Sequence, residues 1–147
     1  TEIGVIHTSI DLNGNDDALK CDLGNLKQSE KFSDFDIVTN FGTSEHVSRH
    51  YECFANIHNF CVAGGVFVHS VPATGYWKGH LACYRWYSTE FFEGLCKANG
   101  YEVIDICEFG SRDHDFVKTH CSAKKINDDP FISREQFREL EKKIYPS

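Results

Sequence analysis

The sequence contains no methionine, three prolines, no pair of cysteines at C-x-x-C spacing, no Gly-x-Gly-x-x-Gly and no basic block. Each absence excludes something. Seven cysteines, an odd number, without that spacing signal neither a zinc knuckle nor a closed disulfide framework, so free thiols in a reducing, cytoplasmic setting are expected. A net charge of −7 without clustered Lys and Arg excludes a nucleic-acid backbone as the main partner, because phosphate neutralisation needs such clusters. The uncharged stretch 56–77 is interrupted by His58, Asn59, Gly64, Gly65, His69 and Pro72, so no membrane-spanning helix is expected. The missing methionine leads to the expectation that the sequence starts inside its domain.

What remains is ordinary globular material: 147 residues with 41% hydrophobic and 25% charged side chains, read as one domain over 1–147. Val5 to Leu12 reads as a short strand ending in Asp11, before the turn-rich Asn13-Gly14-Asn15-Asp16-Asp17. Lys20 to Leu23 is a second extended piece, ending near Asp22. Phe35 to Phe41 is β-branched and aromatic and stops at Gly42, as a strand should. From Ser44 an apolar stripe at spacings of three and four predicts a helix to Ala63, halted by Gly64-Gly65. The apolar run Val66 to Val71, closed by Pro72, reads as a buried parallel strand beside Phe35–Phe41.

Thr74 to Tyr87 is aromatic without a period and reads as a structured loop. Ser88 caps a helix that ends at Asn99-Gly100. Tyr101 to Phe109 and Phe116 to Ala123 then form an antiparallel hairpin. A last helix, 133–145, opens with a capping box of Ser133 and Gln136 and a staple of Ile132 and Phe137. This order predicts an α/β fold, mostly parallel, with an antiparallel C-terminal hairpin. Ligands of such sheets sit at the carboxyl ends of the strands, which directs attention to Asp11, Asp22, Asn40-Phe41-Gly42 and His69.

Ser9-Ile10-Asp11-Leu12, Cys21-Asp22-Leu23, the run from Phe35 through Gly42-Thr43-Ser44-Glu45-His46-Val47, and Gly64-Gly65 before a strand resemble the small class I S-adenosylmethionine-dependent methyltransferases. The stretch from His80 through Tyr84, Tyr87-Ser88 and Phe91-Phe92 to Asn99-Gly100-Tyr101-Glu102 is similar to the same family. The resemblance covers roughly residues 5 to 123. It implies a Rossmann-like methyltransferase sheet, incomplete at its N-terminus, with S-adenosylmethionine as cofactor and a small polar molecule as methyl acceptor. It implies that Asp11 binds the ribose hydroxyls, Asp22 with the Leu23 amide reads adenine, and Asn40, Phe41 and Gly42 face the methionine portion. Where the acceptor must lose a proton, His69 or His80 would be the base, with Tyr84 orienting.

The sequence departs from the family at its start. Gly4, which the resemblance would make a cofactor-binding residue, is separated from Asp11 by residues 5–10 alone, which leaves no room for the Gly-rich loop and its helix: either Glu2 and Gly4 are the relic of a shortened turn, or the sequence begins inside the domain and the loop lies upstream. A sheet lacking that strand has an exposed edge, so either a homodimer or a direct pairing of the Ile10 and Ile37 strands is expected. A different reading is a non-catalytic, dimerising or partner-binding module. His46 and His50, four apart, have a zinc-compatible spacing, but no Cys or Glu ligand is placed to complete a site and no metal is expected.

Overall fold

The computed structural model describes residues 4–75, 83–111 and 116–144. In chain order these form β1 (Ile10–Asp11), β2 (Leu19–Lys20), a 3-10 turn (Leu26–Glu30), β3 (Phe35–Phe41), a second 3-10 turn (Ser44–His46), α1 (His50–Phe60), β4 (Cys61–Pro72), α2 (Thr89–Asn99), β5 (Glu102–Ser111), β6 (Phe116–Lys124) and α3 (Arg134–Ile144). The main sheet has four strands in the order β3-β4-β6-β5. β3 and β4 run parallel, as expected of Phe35–Phe41 and Val66–Val71, while β4–β6 and β5–β6 are antiparallel.

The expected Rossmann-like, mostly parallel α/β fold is therefore corrected to a small α+β fold with a mixed sheet. One of three pairings in the main sheet is parallel. The other parallel pair, β1 with β2, is a separate sheet of two-residue strands. The physical reason lies in connection lengths. A parallel crossover that packs a helix on a sheet needs a dozen or more residues, and β1 and β2 are joined by 12–18 alone. No helix is available there to cover a second face. For the same reason the expected pairing of the Ile10 and Ile37 strands is absent: Ile10 pairs with Leu19, and β3 is left as an edge strand. Val5 and Ile6, read as the start of the first strand, are exposed and outside it.

α1, α2 and α3 pack on one face of the main sheet. Phe54, Val71, Tyr87, Phe91, Phe92, Leu95, Cys121, Ala123 and Phe137 form one buried cluster, and Cys21, Leu23, Cys53, Ile57, Phe60, Cys61 and Phe67 a second. The other face carries Ile37, Thr39 and Phe41, which by register stand beside Val66, Val68 and Ser70, and next to them Ser122 and His120. Ile37 is 63% and Phe41 58% exposed.

α1 ends at Phe60, and Cys61 already belongs to β4, so helix passes into strand without a loop. The expected helix over 44–63 is shorter at both ends. Its beginning is the 3-10 turn. Its end is set by Lys125, whose Nζ donates to the carbonyls of His58 (3.3 Å) and Cys61 (2.8 Å) and closes the helix before the glycines are reached. The Gly64 amide then donates to the Lys125 carbonyl, and the Lys125 amide to that of Gly65, at 2.7 and 2.9 Å. The other helix ends follow local chemistry. Ser88 Oγ accepts from the Phe91 amide, Gly100 adopts φ +68°, and Ser133 and Gln136 exchange their capping-box bonds at 3.0 and 3.2 Å.

Candidate functional site

Asp11 and Asp22 stand at the carboxyl ends of adjacent parallel strands, which the Cys21 amide ties together by donating to the Asp11 carbonyl at 2.9 Å. Asp11 Oδ1 accepts from the amides of Asn13 (2.7 Å), Gly14 (2.9 Å) and Asn15 (3.4 Å). These amides, that of Asn13 foremost, hold the carboxyl below the usual carboxylate range. Gly14 at φ +75° lets the loop wrap that oxygen. Asp22 repeats the motif on a smaller scale, its Oδ1 accepting from the Gly24 amide at 2.8 Å. Each acid thus organises its own loop with one oxygen, and the second oxygen of each has no hydrogen-bond partner among the described residues. Leu23 buries its side chain, and its carbonyl accepts from Asn56 Nδ2 at 2.9 Å.

At the end of β3, Asn40, Phe41 and Gly42 diverge. Asn40 is buried and fully engaged: Nδ2 donates to Ser44 Oγ (2.8 Å) and His69 Nδ1 (3.1 Å), and Oδ1 accepts from the Ser44 amide (3.1 Å). Phe41 is exposed, and the Gly42 amide donates to the Ser70 carbonyl. His69 lies in the core among Phe54, Phe67 and Phe92. Burial, with a smaller push from His120, lowers its pKa to about 3. Since Nδ1 accepts from Asn40, its proton is on Nε2, and the ring is a neutral core group without access to an outside acceptor. Tyr84 is half-exposed and its amide donates to the Glu45 carbonyl at 2.7 Å. His80 lies outside the described residues. Gly4 is exposed, with nothing within 4 Å of the place a Cβ would take.

The structure also joins residues to which the sequence assigned no shared role. His50 Nε2 is 2.7 Å from the Tyr87 hydroxyl, which is 2.9 Å from Ser44 Oγ and so connects to Asn40 and His69. In the other direction His50 Nδ1 is 2.7 Å from Glu141 Oε1, which Arg85 Nε reaches at 3.2 Å. Burial lowers the His50 pKa against the pull of Glu141. Burial works against the Glu141 carboxylate, but His50 and Arg85 outweigh it and hold its pKa below the ordinary value. This chain ties α3 to the ends of β3 and β4. His50 is therefore not half of a histidine pair: His46 sits in the preceding 3-10 turn beside Glu45, and among the described residues no three His, Cys, Asp or Glu side chains gather as metal ligands.

Neither a family model nor a curated protein matches the chain. Among solved structures it is similar to one described as "Conversion of a Disulfide Bond into a Thioacetal Group during Echinomycin Biosynthesis", with a TM-score of 0.52 at 10% identity over 88% of this chain. The match takes in 62% of that protein, so the chain spans about three-fifths of its length. At this identity the likeness concerns the fold alone. Among the described residues no helix is long and apolar enough to cross a membrane.

Proposed function

We propose that this chain binds S-adenosylmethionine and belongs to a cytoplasmic methyl-transfer system acting on a small polar acceptor. The observation that carries the reading is the placing of Asp11 and Asp22 at the carboxyl ends of one parallel strand pair, each with a carboxylate oxygen left for a ligand. A ribose presents two adjacent hydroxyls that one such oxygen receives, and the exposed Phe41 ring offers its face to a sulfonium. With His69 sealed in the core, the reading leaves His80 as the base for an acceptor that must lose a proton, and the rest of the protein's part is orientation and exclusion of water. All seven cysteines are free, which supports a reducing compartment. Calorimetry with S-adenosylmethionine and its demethylated product tests this. Asp11→Ala should lower affinity at least several-fold, from the loss of the charged hydrogen bonds to the ribose hydroxyls. Tight binding that the substitution leaves unchanged rejects the site.

A second reading is favoured by one specific observation. β3 is an edge strand, with Ile37 and Phe41 exposed beside the open sheet face. Antiparallel pairing with a second copy about a two-fold axis at Val38 would set Phe35 opposite Phe41 and Ile37 opposite Thr39, a self-complementary edge. On this reading the chain is a non-catalytic, dimerising module. Sedimentation of the unmodified chain and of Ile37→Lys separates the two: a dimer that the substitution dissociates, together with no cofactor binding, supports the module.

A further inference from the structure

Past Phe41 the chain turns through Gly42 (φ +64°) into the 3-10 turn Ser44–His46, and the turn drives Glu45 inward. Its side chain is 1% exposed, and Oε2 has no hydrogen-bond partner among the described residues. Several groups surround this carboxyl without giving Oε2 a bond. His46 Nε2 is 4.0 Å from Oε1 on the same turn, while Lys118 of β6, Cys53 of α1 and Cys83 before α2 are close enough to sense its charge. The turn is held in place, since the Tyr84 amide donates to the Glu45 carbonyl and the Ser44 amide to Asn40 Oδ1. Directly over the carboxyl is Gly42, itself exposed. A Cβ there would stand 3.5 Å from Glu45 Oε1 and meet nothing else within 4 Å, so at the end of β3 the bare glycine backbone is the cover over the buried carboxyl. A buried carboxylate oxygen without a donor is unfavourable, and a donor brought in over Gly42 would relieve it.

We propose that the Glu45 carboxylate receives the α-ammonium group of the amino-acid end of the ligand, over Gly42 and beside Phe41. This rests on the reading of S-adenosylmethionine as the ligand, whose nucleoside takes the Asp11 and Asp22 corner. An ammonium supplies both what the site lacks, N–H donors, and the charge that its buried carboxylate needs. Burial favours the protonated form of the empty Glu45. Taking up an ammonium therefore requires that proton to leave, and acid should weaken the interaction.

The test compares two nucleosides on the full chain by calorimetry: S-adenosylhomocysteine, which carries the ammonium, and 5′-methylthioadenosine, which has the same nucleoside thioether without the amino-acid end. The unmodified chain should prefer S-adenosylhomocysteine by about tenfold or more. Glu45→Gln should collapse that preference while leaving methylthioadenosine binding in place. Without any variant, the preference of the unmodified chain should shrink on acidification, because burial raises the Glu45 pKa and the carboxyl takes its proton more readily than an ordinary carboxylate. A preference unchanged by Glu45→Gln, an equal weakening of both ligands, or a preference flat in pH overturns the assignment of Glu45 while the Asp11 and Asp22 site stands. Binding of neither nucleoside to the unmodified chain overturns the cofactor reading and this inference with it.

Discussion

Along β4, the side chains of Phe67, His69 and Val71 are 4% exposed or less, whereas their neighbours Val66, Val68 and Ser70 on the opposite face are half-buried. The same strand thus serves two unlike surfaces. The covered face meets three helices and a dense set of aromatic contacts, among them Phe91–Phe92 at 5.2 Å and Phe54–Phe91 at 5.4 Å between ring centroids. The open face meets no helix among the described residues, and its apolar side chains end at the exposed β3 edge. The difference separates two jobs: one face holds the fold together, while the other and the strand ends remain available to something else.

The sharpest way to break this contrast is to truncate one large buried side chain. Phe54→Ala on the covered side should cost about 3–5 kcal/mol and lower the Tm by roughly 10 °C, read by thermal and urea unfolding. A loss below about 1 kcal/mol would mean that the cluster is not the stabilising one.

Acid should act on the same face. Burial lowers the pKa of His58 to about 4 and that of His69 to about 3, against 6.5 for the unperturbed group. Above pH 6.5 both are neutral in either state and add no pH dependence. Below it the unfolded chain takes protons that the folded chain refuses, so stability falls through the window from 6.5 down to those values. From pH 6.5 to 5 the fall should reach up to about 2 kcal/mol for each histidine, and equal urea midpoints at pH 7 and 5 would contradict their burial as neutral rings.

A smaller effect is expected of Tyr87→Phe, which keeps the ring and removes the hydroxyl between His50 and Ser44. Leaving those buried groups short of a partner should cost about 1–3 kcal/mol. Stability equal to that of the unmodified chain would show that the hydroxyl adds nothing net. Least of all, Ile37→Ser on the open face should change the stability of a single copy by no more than about 0.5 kcal/mol. A large loss there would mean that the open face is covered.

Much of the covered face was legible in the residues themselves. Ser88, Gly100, Ser133 and Gln136 mark their helix ends by local chemistry, and the β4 and β6 runs announce buried strands by composition. What the residues could not announce depends on distant partners. The end of α1 is set by Lys125, far along the chain, and among the described residues no second helical layer forms, since no helix fits between β1 and β2. The candidate site was read in part. Asp11 and Asp22 stand at strand ends as their positions suggested, but the same short side chains that suit a ligand also bind the amides next to them. The links His50–Tyr87 and His50–Glu141 span 37 and 91 residues, a separation at which no local pattern survives. Glu45 was part of a recognisable motif, yet its burial follows from the turn after Gly42 and not from its chemistry.

The passage of α1 into β4 with no residue between them couples two periodicities in one stretch of chain. An inserted residue at Cys61 would swing the preceding helix by about 100° and turn every following β4 side chain to the opposite face, exchanging Phe67, His69 and Val71 for Val66, Val68 and Ser70. In the loop 12–18 an added residue would meet only solvent and Asp11's amide cage. The tolerance of this protein to changes in length should therefore be strongly uneven, lowest at that junction and highest in the loop beside the candidate ligand corner, where variants of altered specificity could arise without threatening the fold.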